Sequence, residues 1–403
     1  MPLGPLRATL ADGRRVTLLL RPASTVLSLD DTCVSSWDLA GRPYALVRES
    51  GTYRRGLDGG VLRKREASSD GPRVRERLSA AQAAPVVEAA RLDAAATLAE
   101  LPPGPPEAPA PDGTAGARAR LRAVTAMTPE ALAADAACFL AVSGRVGILP
   151  PDQYLALVVR LTEGCSWDAC SFCSLYRDLP FRARRPDELQ RQIDALRAYF
   201  GPSIALRGSL FLGDANALCL AQERLRPLLE TVAAAFPGAP LFSFVDAWSG
   251  RRKTVEHWRE CHGLGLRRVY VGLETGDPAL LSWLGKPGAP ADALALVSAL
   301  HEAGLAAGVI VLVGAGGERF SKAHVAHTGD LLETMRLRHD DIVYFSEYLD
   351  DPSLGYGRRA ASDPALAALP PGAARAQRDA IAARLHRVPG PRLATYDLRE
   401  FVY

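Results

Sequence analysis

From Leu155 to Tyr348 the sequence alternates short apolar runs with stretches of helical spacing, and this alternation limits the fold more than any other feature of the chain. The runs LALVVRL, SLFLG, LFSFV, RRVYVGLE, AGVIVLVG and DIVYFSEY have strand length and β-branched or aromatic content. Between them, Asp187 to Phe200, Gln222 to Phe236, Thr254 to Leu264, the segments starting at Pro278 and Asp292, and Lys322 to Leu337 carry helical periodicity. Strands alternating with helices across short turns predict a parallel sheet wound in one direction, because the crossover between parallel strands has a fixed hand. The fold class is therefore α/β. Six such units fit a partial (β/α)6 TIM-type barrel better than a Rossmann sheet. The unusual residues fall where strands end, the face on which parallel β/α folds gather ligands.

Ahead of this region, residues 1–66 read as a small β-rich module, with an Asp12-Gly13 turn in ATLADGRRVTLLLR and a second turn at Ser50-Gly51. Residues 67–145 read as helical segments, from Val74 to Leu101 and from Thr128 to Val142, around a Pro/Gly/Ala-rich linker at 102–116. The barrel takes 146–350, and 351–403 is a C-terminal extension. With 48% hydrophobic and 23% charged residues, the 403-residue chain reads as an ordinary globular enzyme. A net charge of +3 with Arg and Glu intermixed argues against nucleic acid or an anionic membrane as the main partner. The longest apolar stretch, Leu305 to Ala315, is too short to span a bilayer and holds two glycines, and MPLGPLRATL lacks a signal-peptide core. Seven cysteines, three of them clustered, fit a reducing compartment. The expected location is the cytoplasm.

The clustered cysteines lie in LVVRLTEGCSWDACSFCSLY, where the first strand opens into a loop. Cys165, Cys170 and Cys173, separated by four and then two residues, can turn inward on one soft metal centre. Three ligands leave one coordination position for a non-protein molecule. A zinc site and the plant-ferredoxin [2Fe-2S] spacing share these gaps, although the latter needs a fourth cysteine and the next one, Cys219, falls inside the following β/α unit. Cys33, Cys138, Cys219 and Cys261 read as buried small hydrophobes.

This cysteine loop resembles the cluster motif of the radical S-adenosylmethionine (SAM) superfamily, with Phe172 in the usual aromatic place and one residue more in the first gap. The second strand ends FLGDANAL, so that Gly213, Asp214 and Ala215 stand where the family has a Gly-Gly-Glu-like motif for the methionine end of the cofactor. The fourth ends VGLETG, close to a segment of the branch holding Elongator-type and methylthiotransferase-type enzymes, and the fifth ends VIVLVGAGGE. The resemblance covers about 150–350. It implies one [4Fe-4S] cluster on three cysteines, SAM on the free iron, a 5′-deoxyadenosyl radical that takes hydrogen from substrate, and an electron from a flavodoxin or ferredoxin. It also implies cofactor contacts from Glu274, Lys286 and Gly314.

Each of these residues has a plainer use. Asp214 can cap the following helix, Glu274 can be a solvated loop carboxylate, Lys286 a helix C-terminal charge, and Gly314 part of a turn. The absence of any cysteine after Cys261 argues against auxiliary clusters, the two cysteines before the barrel fall short of the three-cysteine cluster of sulfur-inserting relatives, and the absence of a separate α/β domain before the barrel argues against cobalamin-dependent methyl transfer. Rearrangement, dehydrogenation, carbon–carbon bond formation and decarboxylation stay open, as do a non-catalytic iron–sulfur electron carrier and a zinc-stabilised binding module. In FRARRPDEL, Arg182 and Arg184 alternate and can form a fork for a carboxylate or phosphate. The expected substrate is thus an anionic small molecule or carrier-bound group, held by Arg182 and Arg184 with Glu347 facing the same cavity.

Overall fold

The computed structural model describes residues 5–66, 73–102, 113–385 and 390–403. Most of the expected linker at 102–116 lies outside them. The chain divides into two compact units: Met1–Val146 with Asp194–Gly208 and Arg399–Tyr403, and Gly147–Ile193 with Ser209–Leu398.

The first unit holds an eight-stranded antiparallel meander in sequential order: β1 (Leu6–Thr9), β2 (Arg15–Leu20), β3 (Ser24–Leu29), β4 (Cys33–Asp38), β5 (Pro43–Arg48), β6 (Gly51–Arg55), β7 (Val61–Glu66) and β8 (Arg73–Leu78). Two of its turns fall at or within one residue of those the sequence marks. Gly13 takes φ +88° between β1 and β2, and Arg48 pairs with Gly51 across a two-residue loop. Alternation sends Val16, Leu18, Leu27, Leu29, Trp37 and Leu46 to one face, which packs against α1 (Ala80–Glu100) and α2 (Thr114–Ala126) through Ala90, Ala94, Leu121 and Val124. Ser79 caps α1 with a capping box, and Thr128 caps α3 (Pro129–Ser143). β8 therefore carries the β-rich region past the expected boundary at residue 66.

The second unit is the expected parallel α/β fold. In chain order it contains β9 (Leu157–Arg160), the short pair β10 (Thr162–Glu163) and β11 (Arg182–Ala183), α4 (Pro186–Phe200, divided between the units), β12 (Leu210–Gly213), α5 (Gln222–Ala235) and β13 (Leu241–Asp246). It continues with α6 (Ala247–Gly250), α7 (Val255–Gly263), β14 (Leu266–Glu274), α8 (Pro278–Trp283), α9 (Pro290–Glu302), β15 (Ala306–Val313), α10 (Gly317–Thr334), β16 (Ile342–Glu347), α11 (Gly355–Ala360), α12 (Pro371–Ala383) and β17 (Arg392–Thr395). The sheet runs β17-β16-β15-β14-β13-β12-β9, every neighbouring pair parallel. Each new strand adds on the same side, so there is no reversal of order as in a Rossmann sheet. All eight residues of β15 are buried, as expected where helices cover one face and the barrel interior the other.

The sheet has seven strands, one more than the apolar runs suggest. β17 comes from the expected C-terminal extension and pairs with β16 from Ile342↔Arg392 to Phe345↔Thr395. At the N-terminal end of the sheet, Asp152 accepts from Tyr270 and Tyr344 hydroxyls at 2.7 Å each and meets Arg268 at 3.1 Å. Asp152 thus gathers these polar side chains at the end of the sheet opposite the cysteine loop.

Candidate active site

Strand ends converge on one cavity of about 590 Å³ in the second unit. Cys165, Cys170, Phe172 and Cys173 line it from the loop after β9, Ala215 and Asn216 from the end of β12, and Asp246 from the end of β13. Glu274 and Lys286 add the β14 side, Ile310 and Leu312 the β15 side, and Glu347, Tyr348, Asp350 and Asp351 the β16 side. Tyr396, just after β17, completes the ring.

The cysteine loop is fixed by hydrogen bonds to other elements. Gly164 sits at φ +73°, and a Cβ there would stand 2.3 Å from the Leu179 carbonyl oxygen, so the loop closes only on glycine. Its N–H donates to Asp214 Oδ2 at 3.3 Å. Ser171 donates to the Leu284 carbonyl through both its N–H (2.8 Å) and its hydroxyl (3.0 Å), and Trp167 Nε1 donates to the Gly285 carbonyl at 2.8 Å. Arg177 spans the loop, donating to the Cys170 and Cys173 carbonyls at 2.8 Å each. The loop is thus tied to the segment after α8 that also delivers Lys286.

Lys286 Nζ lies 2.5 Å from Glu274 Oε1, both groups largely buried. Glu274 occupies the left-handed region at φ +62°, where the strand bulges between Gly272 and Glu274 and turns the carboxylate inward. The turn is held from behind: Thr275 Oγ1 is 2.7 Å from His324 Nδ1, and Gly276 N–H donates to Thr328 Oγ1 at 2.8 Å. The Glu274 carboxylate raises the pKa of Lys286 above the usual lysine range despite its burial. Burial pushes the Cys170 thiol up to about 12, Lys286 opposing it, and burial raises Cys173 as well. Across the cavity, Asn216 donates to Ser166 Oγ (2.8 Å) and to Asp246, and Asp246 Oδ2 accepts from Ser249 Oγ at 2.7 Å.

Of the residues singled out from the sequence, Cys165, Cys170, Cys173, Phe172, Ala215, Glu274, Lys286 and Glu347 meet in this cavity. The others stand elsewhere. Gly213 ends β12, its carbonyl accepting from Leu161 N–H and Thr162 Oγ1. Asp214, expected to face the cofactor, is drawn back to an ion pair with Arg160 at 3.0 Å beneath the cysteine loop. Gly314 donates its N–H to Gln377 Oε1 at 2.8 Å and accepts from Leu369 N–H, so it braces α12. The Arg182–Arg184 fork is already filled: both guanidinium groups donate to Glu163 at 2.8 Å, because the antiparallel pairing of β10 with β11 places Glu163 opposite Arg182. Neither arginine lines the cavity. Asn216 and Asp246 were missed, although Asp246 directly follows the apolar run LFSFV, at the end of β13.

Residues 159–328 match the model of the radical SAM superfamily. The matched stretch, from β9 into α10, is similar to a radical SAM domain. No curated protein matches the sequence. Similar solved structures include the radical S-adenosylmethionine methyltransferase TsrM from Kitasatospora setae, at 20% identity and a TM-score of 0.41 over 54% of this chain and 41% of that one. Coproporphyrinogen III oxidase HemN from Escherichia coli is similar at 17% identity and a TM-score of 0.44, over 61% and 55% of the two chains. SuiB from Streptococcus suis, in a structure bound to S-adenosylmethionine, is similar at 13% identity and a TM-score of 0.43, over 86% and 72%. The chain therefore spans about two fifths of the first of these relatives and about half of the second. Among the described residues no single helix is long and apolar enough to cross a membrane.

The donor set suits the cofactors of this superfamily, a [4Fe-4S] cluster and SAM. Three thiols share one wall, and Cys219 does not line the cavity. Among the described residues no three His, Cys, Asp or Glu side chains are drawn together as a single-ion site.

Proposed function

We propose that this protein is a radical SAM enzyme in which Cys165, Cys170 and Cys173 hold one [4Fe-4S] cluster and the cavity beside them takes SAM and an organic substrate. The supporting observation is that these three thiols open onto the same cavity as the Glu274–Lys286 pair, at the C-terminal ends of the parallel strands. When bound, the cluster and SAM supply a 5′-deoxyadenosyl radical able to take hydrogen from an unactivated carbon. The chain's own residues then have two tasks, to position and to keep water out. Phe172, Leu175, Phe244, Val245, Ile310 and Leu312 give the cavity apolar walls. Lys286 places positive charge near Cys170, which favours the thiolate that iron requires. Asn216, fixed by Ser166 and Asp246, and the inward-turned Glu274 offer oriented polar groups to the cofactor. A flavodoxin or ferredoxin in the cytoplasm would supply the electron.

Anaerobic reconstitution followed by iron and sulfide counting tests the assignment, with four of each per chain expected. Cys165→Ala, Cys170→Ala and Cys173→Ala should each lose the cluster's visible absorption, while Cys33→Ala and Cys138→Ala keep it. An unchanged spectrum in Cys170→Ala would refute the ligand set, and zinc without sulfide would return the site to a binding module.

A further inference from the structure

Aromatic rings pack in succession from β13 to β17. Phe244 meets Tyr270 edge to face at 5.9 Å between ring centres, Tyr270 meets Tyr344 at 6.4 Å, and Tyr344 meets Tyr396 at 5.6 Å. Phe244, Tyr270 and Tyr396 line the cavity, together with Ile310 and Leu312. Strand pairing explains the last ring. Ala394 lies opposite Tyr344, so Tyr396, two residues on, points to the same inward side, and its N–H continues the ladder to the Phe345 carbonyl at 2.8 Å. The hydroxyls of these tyrosines differ. Tyr270 and Tyr344 each donate to Asp152 at 2.7 Å, whereas the Tyr396 hydroxyl finds no hydrogen-bond partner among the described residues, in a side chain that lines the cavity and belongs to a residue only 3% exposed. Buried tyrosine hydroxyls usually find a partner, and one that does not carries a desolvation cost that a bound acceptor removes. Burial also raises the Tyr396 pKa well above the usual tyrosine range, so the hydroxyl keeps its proton and stays a donor. Lys286, the cation of the lining, is already held by Glu274.

We infer that the buried end of the substrate is uncharged: an apolar, ring-sized body against Phe244, Tyr270 and Ile310 that carries a neutral carbonyl or hydroxyl oxygen accepting from Tyr396. Sites for organic molecules are mostly apolar, and a few placed polar groups fix the orientation of what binds. Tyr396 is such a group. A charged end would give up its water against aromatic and aliphatic walls and receive one neutral hydroxyl in return. The anionic class expected from FRAR loses its arginines, both of which donate to Glu163. This inference rests on the proposed radical SAM reading and adds the chemical class of the substrate.

The test is calorimetry on reconstituted protein loaded with SAM, without reductant, using probes of one shape: acetophenone, its hydrocarbon counterpart α-methylstyrene, benzoate and benzamidine. Acetophenone should bind at least fivefold more tightly than α-methylstyrene and at least tenfold more tightly than either charged probe. Tyr396→Phe should bring acetophenone within twofold of α-methylstyrene and leave iron content and SAM affinity within twofold. It should also keep or raise the melting temperature of the unliganded protein, since it removes a hydroxyl that has no partner. Any of the following overturns the assignment: acetophenone that does not bind, or binds no more tightly than α-methylstyrene or a charged probe; an unchanged preference in Tyr396→Phe; a loss of SAM affinity in that variant; or a lower melting temperature, which would give the hydroxyl a partner within the fold. Iron content and 5′-deoxyadenosine release by the unsubstituted protein report on the radical reading separately.

Discussion

Replacing Asp214 separates two uses of one carboxylate. Its motif position would hand it to the cofactor, whereas the structure gives it to Arg160 at 3.0 Å and to Gly164 N–H, with about 4% of the carboxylate side chain and 9% of the guanidinium side chain exposed. Asp214→Ala leaves the Arg160 charge buried without its carboxylate and the Gly164 N–H without its acceptor. Removing one partner of a buried pair costs about 3–5 kcal/mol. For a unit of this size each kcal/mol lowers the melting temperature by about 2–4 °C, so a fall of roughly 6–20 °C is expected. Asp214→Asn keeps an acceptor for Gly164 and should fall by about half as much. Because Arg160→Leu/Asp214→Leu removes both charges of the pair together, it should regain much of the loss. Thermal denaturation of the apoprotein reads the stability, and calorimetry with SAM on the reconstituted protein reads the cofactor. Wild-type melting combined with a tenfold loss of SAM affinity in Asp214→Asn would refute the structural role and restore the cofactor role.

His324 makes stability depend on pH. Burial lowers its pKa to about 4, from about 6.5 in the unfolded chain, so the folded state keeps it neutral. Stability is then full above pH 6.5 and falls as pH drops toward 4, by up to about 3 kcal/mol, since only the unfolded chain takes up the proton in that window; His324→Gln should flatten urea midpoints measured between pH 7.5 and 5, and an unchanged slope would refute this. Gly164→Ala should prevent cluster assembly, because the added Cβ meets a backbone oxygen at 2.3 Å, and full iron content in that variant would show that the loop can open. Arg182→Ala should leave SAM affinity of the reconstituted protein within twofold, since Arg182 is held by Glu163 and Glu188 away from the cavity; a tenfold loss would return the arginine to the cofactor.

Six of the seven parallel strands were legible because each is a short apolar run ending in a polar or glycine turn, the pattern that burial on both faces imposes. β17 was not, since RLAT is four residues long with half-exposed side chains at the edge of the sheet. Within the site, strand-end motifs locate a residue along the chain without saying which way its side chain points. Glu274 turns inward because of a bulge and a left-handed φ, and Asp214 turns back because Arg160 waits on the neighbouring strand. The FRAR fork failed for a related reason. Alternation does place Arg182 and Arg184 on one side of an extended segment, yet the acceptor that fills them, Glu163, comes from nineteen residues earlier and joins only through strand pairing. Spacing reveals local direction, whereas ion pairs between elements depend on register.

The same distinction sorts the polar groups around the cavity. Where the fold supplies its own partner, a charged side chain is part of the scaffold: Asp214 secures the cysteine loop through Gly164, Glu163 gathers two arginines beside it, and Asp152 closes the far end of the sheet with two tyrosines. Desolvating a charge is costly enough that such partners are the rule in a buried setting. Groups that line a cavity and lack partners therefore stand out against that background. Lys286 and Glu274 occupy a middle position, for they answer each other and still face the cavity beside Cys170. A pair of this kind can exchange its internal contact for one to a bound ligand without leaving either charge bare, which suits the cofactor side of the cavity.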